Sequence, residues 1–143
     1  MLFDQIKIHK KQGDLGVARA VYEYTRLGYT VLAPLSDSDK YDLVVDDGEK
    51  LLRVQVKTSR QNNATMNHTS KGRTGYSVNL ATRGGNTKNN VIRRREDGDY
   101  DLLFILLEDG RAWSIPCSAI KARITICVGA TGDAAQYSEY ELK

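Results

Sequence analysis

The chain has 143 residues, with 21 lysines and arginines against 18 aspartates and glutamates and a net charge of +3. That length suits one domain with one core, and 41% apolar against 27% charged side chains excludes a disordered chain. The longest apolar run, Leu102 to Leu107, is far short of the roughly 20 residues of a membrane span, and Met1 to Gln12 lacks the apolar stretch of a secretion signal, so the expected compartment is the cytoplasm with no membrane partner. Cys117 and Cys127 fit neither a disulfide framework nor zinc-ligand spacing and read as reduced structural residues.

Gly13 to Gly28 reads as an amphipathic helix, with Leu15, Ala18, Tyr22 and Thr25 as its buried stripe and Gly28 as its terminal cap. Tyr29 to Leu35 reads as a strand. Tyr41 to Asp46 and Leu51 to Ser59 read as a hairpin closed at Asp47-Gly48, where glycine accepts the positive φ of a tight turn. Tyr76 to Ala81 is a short strand between two long polar segments, 60 to 75 and 82 to 98. Asp101 to Glu108 is the most apolar stretch and reads as a central strand, joined through Asp109-Gly110 to Arg111 to Pro116. Ser118 to Ala122 reads as a helical turn, Ile124 to Val128 as a strand and Tyr137 to Leu142 as a polar edge strand. A helix followed by a β-meander predicts an α+β (α/β) fold, a mixed central β-sheet with the N-terminal helix packed on it.

Charge is distributed unevenly. Arg60, Lys71, Arg73, Arg83, Lys88, Arg93, Arg94 and Arg95 lie in a stretch with no acidic residue, so the rest of the chain holds 13 of the 21 basic residues against all 18 acidic ones. A cationic third on an otherwise acidic chain attracts a polyanion to one side, and these eight residues are the candidate phosphate contacts.

The chemistry-bearing residues sit on the hairpin. Side chains alternate along a strand, so Gln55 and Lys57 share a polar face with Arg53 while Val54 and Val56 point to the core. Pairing through the Asp47-Gly48 turn brings Asp42 beside Gln55 to Lys57. A carboxylate, an amide oxygen and the backbone carbonyl of Val56 suit magnesium, which prefers oxygen ligands and keeps several waters. Such an ion activates water and neutralises charge on a phosphate oxygen, with Lys57 assisting, which is the equipment of phosphodiester hydrolysis. A dication wants a second carboxylate. In the helix, Asp14 falls in the arc of Ala18, Val21 and Thr25, whereas Glu23 falls beside Arg19 and Arg26, so Asp14 is the better candidate ligand. An acid in a first helical turn also stabilises the macrodipole, which is the alternative role for Asp14.

Gly13-Asp14-Leu15-Gly16 opening a helix, Gly28-Tyr29-Thr30-Val31 entering a strand, Tyr41-Asp42-Leu43 on the next and Gln55-Val56-Lys57-Thr58 on the third together resemble the PD-(D/E)xK nuclease superfamily. Within it the chain resembles small group I intron homing endonucleases with a QxK variant, and more distantly archaeal Holliday-junction resolvases. Tyr41 stands where the motif's name has proline, and Gln55 where it usually has an acid. The resemblance implies a single restriction-endonuclease-like domain and a magnesium-dependent DNA endonuclease, with manganese as a substitute metal. It implies Asp14, Asp42, Gln55 and Lys57 as catalytic residues, with Asp42, Asp14, Gln55 and the Val56 carbonyl around the metal. The implied partners are double-stranded or branched DNA and further copies of the chain, as a homodimer or homotetramer near the nucleoid. Junction resolution, or DNA holding by an inactive nuclease fold, are the alternatives.

Overall fold

The computed structural model describes residues 1–63, 75–83, 92–132 and 135–143, without the side chains of 83 and 92. Helix α1, His9–Arg26, is followed by β1 (Thr30–Leu32), β2 (Leu43–Asp46) and β3 (Leu51–Ser59). Then come β4 (Tyr76–Asn79), β5 (Thr82–Arg83), β6 (Ile92–Arg93), β7 (Leu102–Leu107), β8 (Ala112–Pro116), β9 (Thr125–Val128) and β10 (Glu141–Leu142). Single 3-10 turns at Cys117–Ala119 and Ser138–Tyr140 precede β9 and β10.

Six strands form one mixed sheet in the order β1-β2-β3-β7-β8-β10. The predicted hairpin is present: β2 and β3 pair antiparallel from Asp46 with Leu51 to Leu43 with Val54, and Gly48 in the turn has φ 94°. β3 and β7 pair parallel, Val56 opposite Phe104, while β7 and β8 are antiparallel, so the sheet is mixed as expected. β7 is apolar throughout because both of its faces are covered: Leu103 to Leu107 are fully buried. On one face Val54, Val56, Phe104 and Leu106 pack against Phe3, Ala20 and Tyr24 of the N-terminal segment and α1. On the other, Leu103, Ile105, Leu107, Trp113 and Ile115 pack beneath Tyr76 and Val78 of β4 and Ile126 and Val128 of β9. β4 and β9 pair as a separate ladder.

Two expectations need correction. The buried stripe of α1 is Gln12, Gly16, Ala20, Glu23 and Tyr24, and Ala18, Tyr22 and Thr25 are exposed. Close packing decides this face. A Cβ on Gly16 would lie 2.5 Å from the Thr58 methyl group and 3.1 Å from Val56, an approach that only glycine permits. The polar segment 82–98 also contains a short antiparallel pair, β5 with β6, where only loop was expected. Cys117 and Cys127 are both free thiols. Among the described residues no helix is long and apolar enough to cross a membrane.

Candidate active site

Asp42 lies immediately before β2, at the point where the chain enters the sheet. Its amide still bonds the Val54 carbonyl at 2.8 Å, but the last residue pair is Leu43 with Val54. The Val56 amide, one step beyond, therefore has no β2 carbonyl to meet, and it donates to Asp42 Oδ2 instead, at 2.8 Å. Gln55 Nε2 donates to the same oxygen at 2.8 Å and touches the Val56 carbonyl oxygen at 3.3 Å. The sequence-derived trio of Asp42, Gln55 and the Val56 carbonyl thus converges on one point, and Lys57 is close enough to act on Asp42 electrostatically.

Both ionisable groups of this site are half-buried. Burial pushes the Asp42 carboxyl above its ordinary value, against the opposing pull of the Val56 N–H and the Lys57 charge. Burial likewise draws Lys57 below the usual lysine range, opposed by Asp42. An acid and a base whose charged forms are both disfavoured gain from a ligand that brings charge of its own.

The polar wall continues toward the start of β3. Arg53 stands 6.0 Å from the Tyr41 ring centroid, and its amide and guanidinium both bond Asp101, at 2.8 and 3.3 Å. Asp101 immediately precedes β7 as Asp42 immediately precedes β2. Sequence patterning placed Arg53 on this face but did not identify Asp101, because the contact joins residues 48 apart on strands whose pairing is parallel.

Other expected site residues lie elsewhere. Asp14 is exposed, two positions from both Gln12 and Gly16 and hence about 200° around the helix from the face that meets the sheet. Moreover α1 covers the Val54 and Val56 face of β3, whereas Gln55 and Lys57 belong to the opposite face. The structure does not bring Asp14 to Asp42. Glu23 is buried and held by Arg19 at 2.8 Å and Arg26 at 2.7 Å, as its sequence neighbours suggested, and is a structural ion-pair centre.

Of the candidate phosphate contacts, Arg93 and Arg94 are exposed. Arg95 is not one: it is 2% exposed and donates to the carbonyls of Ile120 and Ala122, at 2.6 and 3.1 Å, and to Cys117 Sγ at 3.1 Å. Arg60 has its guanidinium turned to the N-terminal segment, bonding Gln12 Oε1 at 3.0 Å and the Phe3 and Ile6 carbonyls at 3.3 Å each. Lys71, Arg73 and Lys88, and the side chain of Arg83, lie outside the described residues.

Whether a divalent ion fits can be asked of the donors. Gln55 Nε2 occupies the point where Asp42 Oδ2 and the Val56 carbonyl converge, as a cation would, and rotating the amide presents Oε1 there instead. The set is all oxygen with one carboxylate, suited to a hard ion that keeps most of its waters. No cluster of three or more histidine, cysteine or acidic side chains occurs among the described residues, so soft-metal centres have no ligands there.

A helix on a mixed sheet, with an acid at the start of one strand beside a polar residue and a lysine on the next, defines a nuclease architecture. Residues 8–126 match the family model described as PD-(D/E)XK endonuclease, and the chain belongs to that family. It is 31% identical over 108 residues to Protein 5.3 of Escherichia phage T7, covering 76% of this chain and 80% of that protein. The bacterial homing endonuclease I-Ssp6803I superimposes with a TM-score of 0.72 at 27% identity, over 92% of this chain and 87% of that one. The fold expected from the sequence, restriction-endonuclease-like, is therefore the fold observed.

Proposed function

We propose that the chain is a magnesium-dependent DNA endonuclease of homing type, acting at the site formed by Asp42, Gln55, Val56 and Lys57. The observation that carries this reading is the convergence of Asp42 Oδ2, the Val56 carbonyl and the Gln55 amide within 3.3 Å, beside Lys57. Asp42, the Gln55 amide oxygen and the Val56 carbonyl would hold magnesium or manganese. The bound ion supplies an activated water and charge neutralisation at the phosphate.

The protein's own residues do the rest. The Val56 N–H fixes the Asp42 carboxylate, so its free oxygen keeps one direction. Lys57 presents an ammonium in a half-buried setting, where its field on a phosphate oxygen is stronger than in water, and it stabilises negative charge that grows during attack. Arg53, held by Asp101, lies on the same strand face and extends the polar wall. With Asp14 on the exposed side of α1, a bound metal would have a single carboxylate, and Gln55 would stand in the position of a second acid. Arg93 and Arg94, with the basic residues outside the described segments, would contact the DNA backbone. One site cuts one strand, so a double-strand cut requires a homodimer or homotetramer.

The test is incubation of the purified chain with supercoiled, linear and four-way-junction DNA, with magnesium, manganese or a chelator. Metal-dependent nicking that disappears in Lys57→Ala, while DNA affinity persists, is the expected result. Cleavage of the junction alone would replace the homing reading by junction resolution, and wild-type cleavage rates in Lys57→Ala would remove the site.

A further inference from the structure

The first turn of α1 departs from ordinary helix chemistry. Its N-cap residue, Ile8, offers no side-chain acceptor, and no acidic residue lies in the first turn. Lys7, His9, Lys10 and Lys11 crowd there instead, all exposed. Cations at the positive end of a helix dipole oppose it. The nearby Asp4 is engaged by the N-terminal ammonium at 2.8 Å, and no carboxylate among the described residues forms an ion pair with Lys7, Lys10 or Lys11. A local choice that weakens the fold and has no internal compensation marks a surface kept for a partner.

The position of this patch says which partner. Arg60 follows Lys57 by three residues, about 10 Å along the strand. Its guanidinium is bonded to the Phe3 and Ile6 carbonyls and to Gln12, which itself donates to Thr58 Oγ1 at 2.8 Å. The strand carrying Lys57 is thereby tied to the segment carrying Lys7, Lys10 and Lys11. The buried face of α1 packs on the sheet, and the three lysines stand exposed.

We infer that Lys7, Lys10 and Lys11 form a contact surface for the phosphate backbone of duplex DNA, flanking the strand that is cut. This rests on the nuclease reading and adds to it a surface outside the basic segment 60–95. Phosphates at this helix end neutralise the lysines and complement the dipole together.

The experiment uses the full chain and a short random-sequence duplex in chelator, so that nothing is cut. Affinity is measured against salt concentration for wild type, for Lys7→Gln/Lys10→Gln/Lys11→Gln, and for Lys121→Gln, an exposed lysine after β8. The triple variant should lower the slope of log affinity on log salt by about 0.9 per lost contact, hence by roughly 2–3. Lys121→Gln should leave the slope in place. Because unfavourable charge is removed from the helix end, the triple variant should also melt no lower than wild type, which excludes misfolding as the cause. An unchanged slope in the triple variant, with wild type binding DNA, overturns the inference and leaves the nuclease reading standing. A wild-type chain that neither binds nor cuts any DNA overturns both.

Discussion

The Gln55 amide donates to the Asp42 carboxylate at 2.8 Å, so in this candidate site a neutral side chain balances a lone acid. Replacing that donor by an acceptor reverses the interaction. Gln55→Glu sets two carboxylates in one half-buried place, where repulsion lowers the melting temperature without metal. The same change gives a dication a second charged ligand, so manganese affinity measured by calorimetry should rise by tenfold or more, and added metal should raise the melting temperature further than in wild type. Equal affinities for the two proteins would show that residue 55 does not face the ion.

The pKa directions at the site predict how it responds to pH. A carboxyl held above 3.8 keeps its proton to higher pH, and only the ionised form binds a cation well. Divalent affinity should therefore decline on acidification sooner than an exposed aspartate would dictate. For stability the signs are equally definite. Asp42, with its value raised, contributes most below 3.8 and less as pH climbs through its folded value. Lys57, with its value lowered from 10.5, contributes most above that value and less as pH falls through the folded one. At neutral pH both groups work against the fold. Asp42→Asn combined with Lys57→Met should therefore leave an inactive protein that melts higher than wild type at pH 7, as expected where stability is given up for function. A lower melting temperature in this double variant would contradict the account.

The convergence of Asp42, Gln55 and Val56 was legible in the sequence because these residues are joined by short-range geometry. A hairpin with a two-fold alternation and a glycine turn fixes Asp42 beside Gln55 and Val56 without reference to the rest of the chain. The helix was not legible in the same way. Its sheet-facing stripe contains Gln12, Gly16 and Glu23, which hydropathy assigns to water. They are inside because Gly16 allows contact, Gln12 bonds Thr58 and Arg60, and Glu23 is neutralised by two arginines. Asp14 was assigned to the site on the strength of that mistaken stripe. Arg95 was obscured for a related reason: three consecutive arginines read as one patch, and long-range partners, among them the carbonyls of Ile120 and Ala122, separate the third from the other two.

Gly16 and Gly13 give opposite expectations for the same substitution. In a helix interior, alanine is favoured over glycine by about 1 kcal/mol. At Gly13 a Cβ meets nothing within 4 Å, so Gly13→Ala should raise stability by up to that amount. At Gly16 the new methyl group would press on Thr58, whose hydroxyl is pinned by Gln12 and cannot rotate away without losing that bond. Gly16→Ala should therefore destabilise by about 1–3 kcal/mol despite its better propensity, as overpacking generally does. Chemical denaturation of the two variants beside wild type decides it, and a stabilised Gly16→Ala would mean that the helix does not sit this closely on β3.

Arg93, Arg94 and Arg95 are adjacent in sequence and should separate completely by experiment. Arg95 is fixed by two carbonyls, a thiol and Asp97, with its guanidinium almost fully removed from water. Truncating it strands buried carbonyls without a donor, and each such orphan costs about 1–3 kcal/mol. Arg95→Ala should thus lose several kcal/mol of stability, and lysine should not restore it, since one ammonium cannot reproduce a planar fork with donors to four partners. Arg93→Ala and Arg94→Ala remove exposed side chains, so the fold should be unchanged within about 0.5 kcal/mol. Their effect belongs to DNA: each should reduce the salt slope of binding by about 0.9 if it meets a phosphate. Denaturation midpoints and salt-dependent binding on the same three proteins would show the separation, and a stable Arg95→Ala with a reduced slope would return Arg95 to the surface.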